Sequence, residues 1–225
     1  MTINFEQFRK DAKIERIDDR ITRFISWYDS CCCYLIEDRR NVLIDASYPL
    51  MKPLSDIMVD IILLTHPHCD HPTFAKEIAE AVGSKVYASR GTAEWFRKYG
   101  NEIIPKDRTD VKEILAKYKT PPEVYPPKID RIIKEGDVIN TGSLALRVIE
   151  TPGHSPGDLC FLEEERGTFF SGDALLKIKE NGELKTGGWK VNGRVLRDSN
   201  RKLLEKSVIK LKSIKFGMLC PGHVY

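Results

Sequence analysis

Short apolar runs separated by polar, glycine- and proline-rich breaks dominate this chain. Runs of this kind, rich in Ile, Val, Phe and Cys, read as β-strands. Residues 21–26, 32–36 and 42–44 are the first three, with Asp38-Arg39-Arg40-Asn41 as a hairpin loop between the last two. Asp60-Ile61-Ile62-Leu63-Leu64 is continuously apolar after its first residue, as a strand covered on both faces would be. Residues 72–82 switch to a helical period. Pro72 suits the first turn, Phe74, Ile78 and Ala81 share a face, and Gly83 suits the C-terminal cap. Residues 85–88 read as the next strand. Helical patterns at 92–99 and 110–118, followed by proline pairs, make about 91–128 an inserted helical segment or lid within a single domain spanning 1–225. Strands resume at 131–133, 144–149, 158–162 and 168–170, and glycines and Asn break 181–193 into a loop. A helix capped by Asp198 or Ser199 is expected to bury Leu203, Leu204, Val208 and Leu211. A last strand at 216–220 leads into Pro221-Gly222-His223, and Phe5 and Phe8 read as one face of a short N-terminal helix.

A chain of 225 residues is long enough for one α/β domain with a real core. Its net charge of +3 is too small to call for a nucleic-acid or anionic-membrane partner. A small-molecule substrate is expected instead. The N-terminus lacks a basic region followed by an apolar run, and no stretch approaches the ~20 apolar residues of a membrane span. The six cysteines contain no CxxC pair, which points to a reducing, cytoplasmic setting. Cys31, Cys32 and Cys33 read as strand residues with alternate ones buried, and Cys69 and Cys220 as packing residues.

All five histidines stand where metal ligands could stand. His66, His68 and His71 share the stretch Thr65-His66-Pro67-His68-Cys69-Asp70-His71, His154 lies in Thr151-Pro152-Gly153-His154-Ser155-Pro156-Gly157, and His223 follows Gly222. Asp173 joins them in Ser171-Gly172-Asp173. Neutral imidazole and carboxylate bind borderline and hard divalent cations. Along an extended segment His66, His68 and Asp70 would share a side, with Pro67 and Cys69 turned away. His71, at the turn into the helix, would then face a second centre. Each of these residues follows the end of an apolar strand, where loops on a rigid scaffold carry reactive groups.

This ordered set, preceded by Val42-Leu43-Ile44-Asp45, resembles the metallo-β-lactamase superfamily, most closely its glyoxalase II-like hydrolases. The resemblance implies an α/β fold, a four-layer αββα sandwich of two mixed sheets with helices outside. It implies that His66, His68 and His154 hold one metal ion, that Asp70, His71 and His223 hold another, and that Asp173 bridges them. Asp45 matches a carboxylate that supports the ligands from behind. Two divalent ions are implied, zinc first, with iron or manganese as the other candidates. The implied reaction is attack by a hydroxide between the ions on the carbonyl of a small ester, thioester or lactone, with Asp70 orienting the nucleophile. Tyr225 matches a glutathione-binding tyrosine of glyoxalase II, and Trp189 is a candidate wall of the substrate site. Trp95, Phe96 and Tyr99, with Tyr118 and Tyr125, read either as a substrate mouth or as the small core of their segment. The chain departs from glyoxalase II after Asp173, where 174–188 lack its Gly-Cys-Gly-Arg-type loop. It also resembles mononuclear iron persulfide dioxygenases, in which His66, His154 and Asp173 would be the iron ligands.

Overall fold

The computed structural model describes residues 13–26, 31–47, 58–100, 126–188, 190–191, 194–196 and 198–224. The helices expected around Phe5 and at 110–118, together with Tyr118, Tyr125, Trp189 and Tyr225, lie outside the described residues.

The apolar runs form two large sheets. The first holds β1 (Lys13–Arg16), β2 (Ile21–Ile25), β3 (Cys32–Ile36), β4 (Val42–Ile44), β5 (Ile61–Leu63), β6 (Lys85–Ala88) and β7 (Arg131–Ile132), side by side in chain order. Pairing is antiparallel from β1 to β4 and parallel from β4 to β7. The second sheet is an antiparallel meander of β8 (Val138–Asn140), β9 (Ala145–Glu150), β10 (Leu159–Glu163) and β11 (Thr168–Gly172). Two short ribbons follow, β12 (Lys177–Ile178) with β13 (Leu184–Lys185) and β14 (Lys190–Val191) with β15 (Arg194–Val195). The last strand, β16 (Met218–Pro221), runs parallel to β11 and closes the second sheet. Helices α1 (Ala75–Val82), α2 (Arg90–Tyr99) and α3 (Arg201–Ser213) pack outside.

Strand alternation builds the layers. Cys32, Tyr34, Ile36, Val42, Ile44, Ile61 and Leu63 point inward, against Leu146, Val148, Leu159, Phe161 and Phe170 of the second sheet. Their neighbours Cys33, Leu35, Leu43 and Ile62 point outward, against Phe74, Ala75, Ile78, Trp95 and Phe96. On the other side Ile149, Cys160, Leu162 and Phe169 meet Leu211 of α3. The result is the expected αββα sandwich of two mixed sheets. It also corrects the expectation for the cysteine triplet. Cys31, Cys32 and Cys33 are all buried, because the first sheet is covered on both faces and alternation chooses between two interiors.

Other differences are local. Strands β1 and β8 were not expected; both are short and mostly exposed, so neither carries an apolar run. The expected loop at 181–193 contains strand pairing, because β13 and β14 belong to the two ribbons. Asn200, not Asp198 or Ser199, caps α3, accepting a hydrogen bond from Leu203 N–H at 3.1 Å. The helix buries Leu204, Ser207 and Leu211 and leaves Leu203 38% exposed. Ser207 faces inward because its hydroxyl donates to the Pro152 carbonyl at 2.8 Å. Gly83 caps α1 in the left-handed region as expected, with φ of 78°. Trp95 and Phe96 are core residues, so α2, the start of the segment expected as an insertion or lid at about 91–128, supports the first sheet; 101–125 of that segment lie outside the described residues. Among the described residues no helix is long and apolar enough to cross a membrane.

Candidate metal centre

The ends of β4, β5, β9, β11 and β16 converge and deliver Asp45, the 66–71 segment, His154, Asp173 and His223. After β5 the chain does not stay extended. His71 N–H donates to the His68 carbonyl at 3.0 Å, and Ala46 N–H donates to the His71 carbonyl at 2.8 Å. This turn corrects the strand-parity expectation. His66 and His68 stay together, while Asp70 swings away from them to join His71. Cys69 packs into the outer core as expected. The 151–158 loop is held against α3, where Asn200 N–H donates to the Gly153 carbonyl at 2.8 Å. Gly153 has φ of 144°, and a Cβ there would sit 2.2 Å from the Leu204 nitrogen. Gly172, with φ of 49°, likewise lets the end of β11 pass Thr65, whose Cβ would lie 2.8 Å from an added methyl.

Among the described residues two donor groups result, joined by a third made of His66, His71 and Asp173. His66, His68 and His154 each offer a donor atom within 4.8 Å of the others, and so do Cys31, Asp70, His71 and His223. Asp173 lies between them. Its Oδ2 is 3.3 Å from His154 Nε2, and its Oδ1 is 3.4 Å from the Nε2 atoms of both His71 and His223. Asp70 Oδ2 is 3.3 Å from His223 Nε2. Supporting groups set the ring orientations. His154 Nδ1 contacts the Gly188 carbonyl at 2.8 Å, and His71 Nδ1 contacts Asp45 Oδ2 at 2.7 Å. Carbonyl and carboxylate only accept, so both Nδ1 atoms donate and each Nε2 faces the centre. Asp45 also accepts from Thr65 N–H at 2.8 Å and Thr65 Oγ1 at 2.7 Å. Cys31 is the member of this group that its sequence context did not mark. It sits in a run of three cysteines, and its place depends on pairing with His223, 192 residues away by number.

The electrostatics divide along the same line. Burial, with His71 and His68 nearby, pushes His66 well below the usual imidazole range. Burial and His154 take His68 down to about 3. In the other group, burial would lower His71, but Cys31, Asp45, Asp173 and Asp70 outweigh it and hold it well above its ordinary value. His223 is raised in the same way, with Asp173 as the strongest opposing influence to burial. Asp70 and Asp173 are held low, the surrounding imidazoles overcoming the burial that would raise them. The donor set therefore fits cations. His66 Nε2 and Asp173 Oδ1 are buried without hydrogen-bond partners, which is costly unless something positive occupies the space they face.

Residues 28–223 match the family described as the Metallo-beta-lactamase superfamily. The chain belongs to this superfamily. Its members are generally metal-dependent hydrolases, and two of the chain's relatives are named as probable zinc-dependent hydrolases. ML0493, an uncharacterized protein of Mycobacterium leprae, is 27% identical over 224 residues, 90% of each chain. BaeB of Bacillus velezensis, described as a "Probable polyketide biosynthesis zinc-dependent hydrolase", is 25% identical over 151 residues. That match spans 64% of this chain but only 54% of BaeB. The solved structure of TTHA1623 in a di-iron-bound form superposes with a TM-score of 0.63 at 25% identity, covering 88% of this chain and 89% of that one.

Proposed function

We propose that this member of the superfamily hydrolyses a small ester, thioester or lactone with two divalent ions. The observation that carries the reading is Asp173, a buried carboxylate with one oxygen toward each donor group. His66, His68 and His154 would hold one ion, Asp70, His71 and His223 the other, and Asp173 both. Zinc is the leading candidate, in keeping with the name of BaeB; the di-iron form of TTHA1623 keeps iron beside it. When bound, such ions supply Lewis acidity and a water of lowered pKa.

The chain's own residues then divide the remaining work. His68 and Asp70 are the two partly exposed members of the cluster, so substrate would approach across them. Asp70 is held ionised, with its side chain 15% exposed and Oδ2 against His223. It is suited to accept a hydrogen bond from the attacking water and fix its direction. Asp45 and the Gly188 carbonyl keep His71 and His154 in the tautomers that present Nε2. Trp95 lies edge-on to His68 with ring centroids 6.4 Å apart and limits that ring's movement. The glyoxalase II-like Gly222-His223 end of the chain puts thioesters first among substrates to screen.

The test begins with metal analysis of protein purified without air or added metal, followed by hydrolysis assays on thioesters and lactones. About two ions per chain are expected. His68→Ala should hold fewer and lose hydrolysis; wild-type turnover in that variant overturns the reading. About one iron per chain, with oxygen consumed on adding a persulfide, would replace it with the dioxygenase triad of His66, His154 and Asp173.

A further inference from the structure

Cys31 is fully buried, yet it belongs to none of the three core clusters, whereas Cys32 packs in the inner core and Cys33 in the outer one. Backbone pairing fixes its place. Cys31 bridges His223, and Cys32 N–H donates to the Gly222 carbonyl at 2.7 Å. Its sulfur lies within 4.8 Å of one donor atom each from Asp70, His71 and His223. We propose that Cys31 supplies a thiolate to the second ion, so that the site holds four protein donors of its own besides the shared Asp173. This rests on the two-ion reading above.

A second observation points into the same space. Asp173 is only 8% exposed, its Oδ1 makes no hydrogen bond, and that atom is 3.4 Å from the Nε2 atoms of His71 and His223. A buried carboxylate oxygen without a hydrogen bond and a buried thiol therefore face the same two imidazoles. With Zn–S of about 2.3 Å and Zn–N of about 2.0 Å, sulfur and nitrogen on one ion lie about 3.0–3.5 Å apart, depending on the angle between them. Donor atoms that already lie within 4.8 Å of one another can close to that spacing by side-chain rotation. As the sulfur–metal bond forms, the S–H bond breaks and its proton passes to solvent. A thiolate makes this half of the centre softer than the His66–His68–His154 half. It would favour zinc, or cobalt in its place, over manganese or magnesium.

The test uses the full-length protein loaded with cobalt(II) or zinc, with metal content measured in parallel. Wild-type cobalt protein should show sulfur-to-cobalt charge-transfer absorption, and X-ray absorption of the zinc protein should show a sulfur scatterer at about 2.3 Å. Cys31→Ser should lose both signals while keeping the first ion; Cys69→Ser, in the neighbouring loop, should keep both. Two ions bound without sulfur overturn the Cys31 assignment and leave the two-ion reading standing. One ion without sulfur overturns both. Loss of the signal in Cys69→Ser instead also overturns it. If Cys31→Ser does not fold, the wild-type zinc spectrum decides, since a shell of nitrogen and oxygen alone refutes a thiolate ligand.

Discussion

Replacing Asp45 with asparagine tests whether a residue that touches no substrate controls the second ion. Asp45 is 1% exposed, and its carboxylate accepts from Thr65 N–H at 2.8 Å, Thr65 Oγ1 at 2.7 Å and His71 Nδ1 at 2.7 Å. Its φ of 56° lies in the left-handed region, which asparagine tolerates and alanine does not, so Asp45→Asn changes chemistry with little backbone strain. The amide has one acceptor oxygen. If that oxygen serves Thr65 N–H, an NH₂ group faces the Thr65 hydroxyl and His71. The hydroxyl can rotate to accept. His71 Nδ1–H cannot, and it loses a charge-assisted bond of about 1.5–3 kcal/mol. The ring is then freed to protonate Nε2 instead, the atom needed by the ion. Loss of such a supporting partner lowers metal affinity about 10–100-fold, or about 1.4–2.7 kcal/mol. Competition against a chromophoric chelator, resolving the two ions, measures it. The second ion should weaken by that factor. The first should change less, since none of its three imidazoles bonds Asp45 directly; Asp45 reaches it through Thr65 Oγ1, 3.1 Å from His66 Nδ1, and through the His71 ring packed on His66. Wild-type affinity for both ions, or equal loss of both, would refute the reasoning.

Two further perturbations address the scaffold. Gly153→Ala places a methyl 2.2 Å from the Leu204 nitrogen at a φ of 144°, so strain and overpacking together should cost about 2–6 kcal/mol. Calorimetry should show a large fall in Tm; a change within about a degree would contradict the close approach. Asp38 accepts from Thr141 Oγ1 at 2.7 Å, Ser143 N–H at 2.7 Å and Leu144 N–H at 3.1 Å, tying the 38–41 turn to the second sheet. Burial would raise its pKa, but these bonds prevail and hold it below the ordinary 3.8. A depressed carboxylate contributes stability above its unfolded pKa and loses it as pH falls through the folded value. Asp38→Ala should therefore cost about 2–3 kcal/mol in urea denaturation at neutral pH, with the gap narrowing below pH 3.8. A gap that stays constant into that acid range would show that the charge is not responsible.

What could be read from the chain alone was what local pattern encodes. The strands at 32–36, 42–44 and 61–63 carry apolar residues on both faces, and the turn residues around His154 announce a tight loop. His66, His68, Asp70 and His71 stood out because they crowd one short segment, whereas His154, Asp173 and His223 were marked by their order along the chain and Asp45 by the family resemblance that this order carries. The residues that escaped depend on long-range register. Nothing in Cys31-Cys32-Cys33 tells which sulfur will face His71; the bridge from Cys31 to His223 decides it. The 66–71 turn defeated strand parity because His71 N–H closes back on the His68 carbonyl while the His71 carbonyl accepts from Ala46 N–H, just past the end of neighbouring β4. At α3, Asn200 takes the cap because its N–H is already anchored to Gly153, a tertiary contact invisible to a local search among Asp198, Ser199 and their neighbours.

The donors come from both halves of the chain, 31–71 from the first sheet and 154–223 from the second. An ion shared by His71 and His223 would cross-link residues 152 positions apart. By analogy with a disulfide closing a loop of that order, such a clasp restricts the unfolded chain by on the order of 4–5 kcal/mol. The clasp sits at one edge of the interface where β3 and β10 bury their inner faces, so its release would let the two sheets part there first. On the two-ion reading, metal scarcity would then lower the stability of the sandwich as well as turnover.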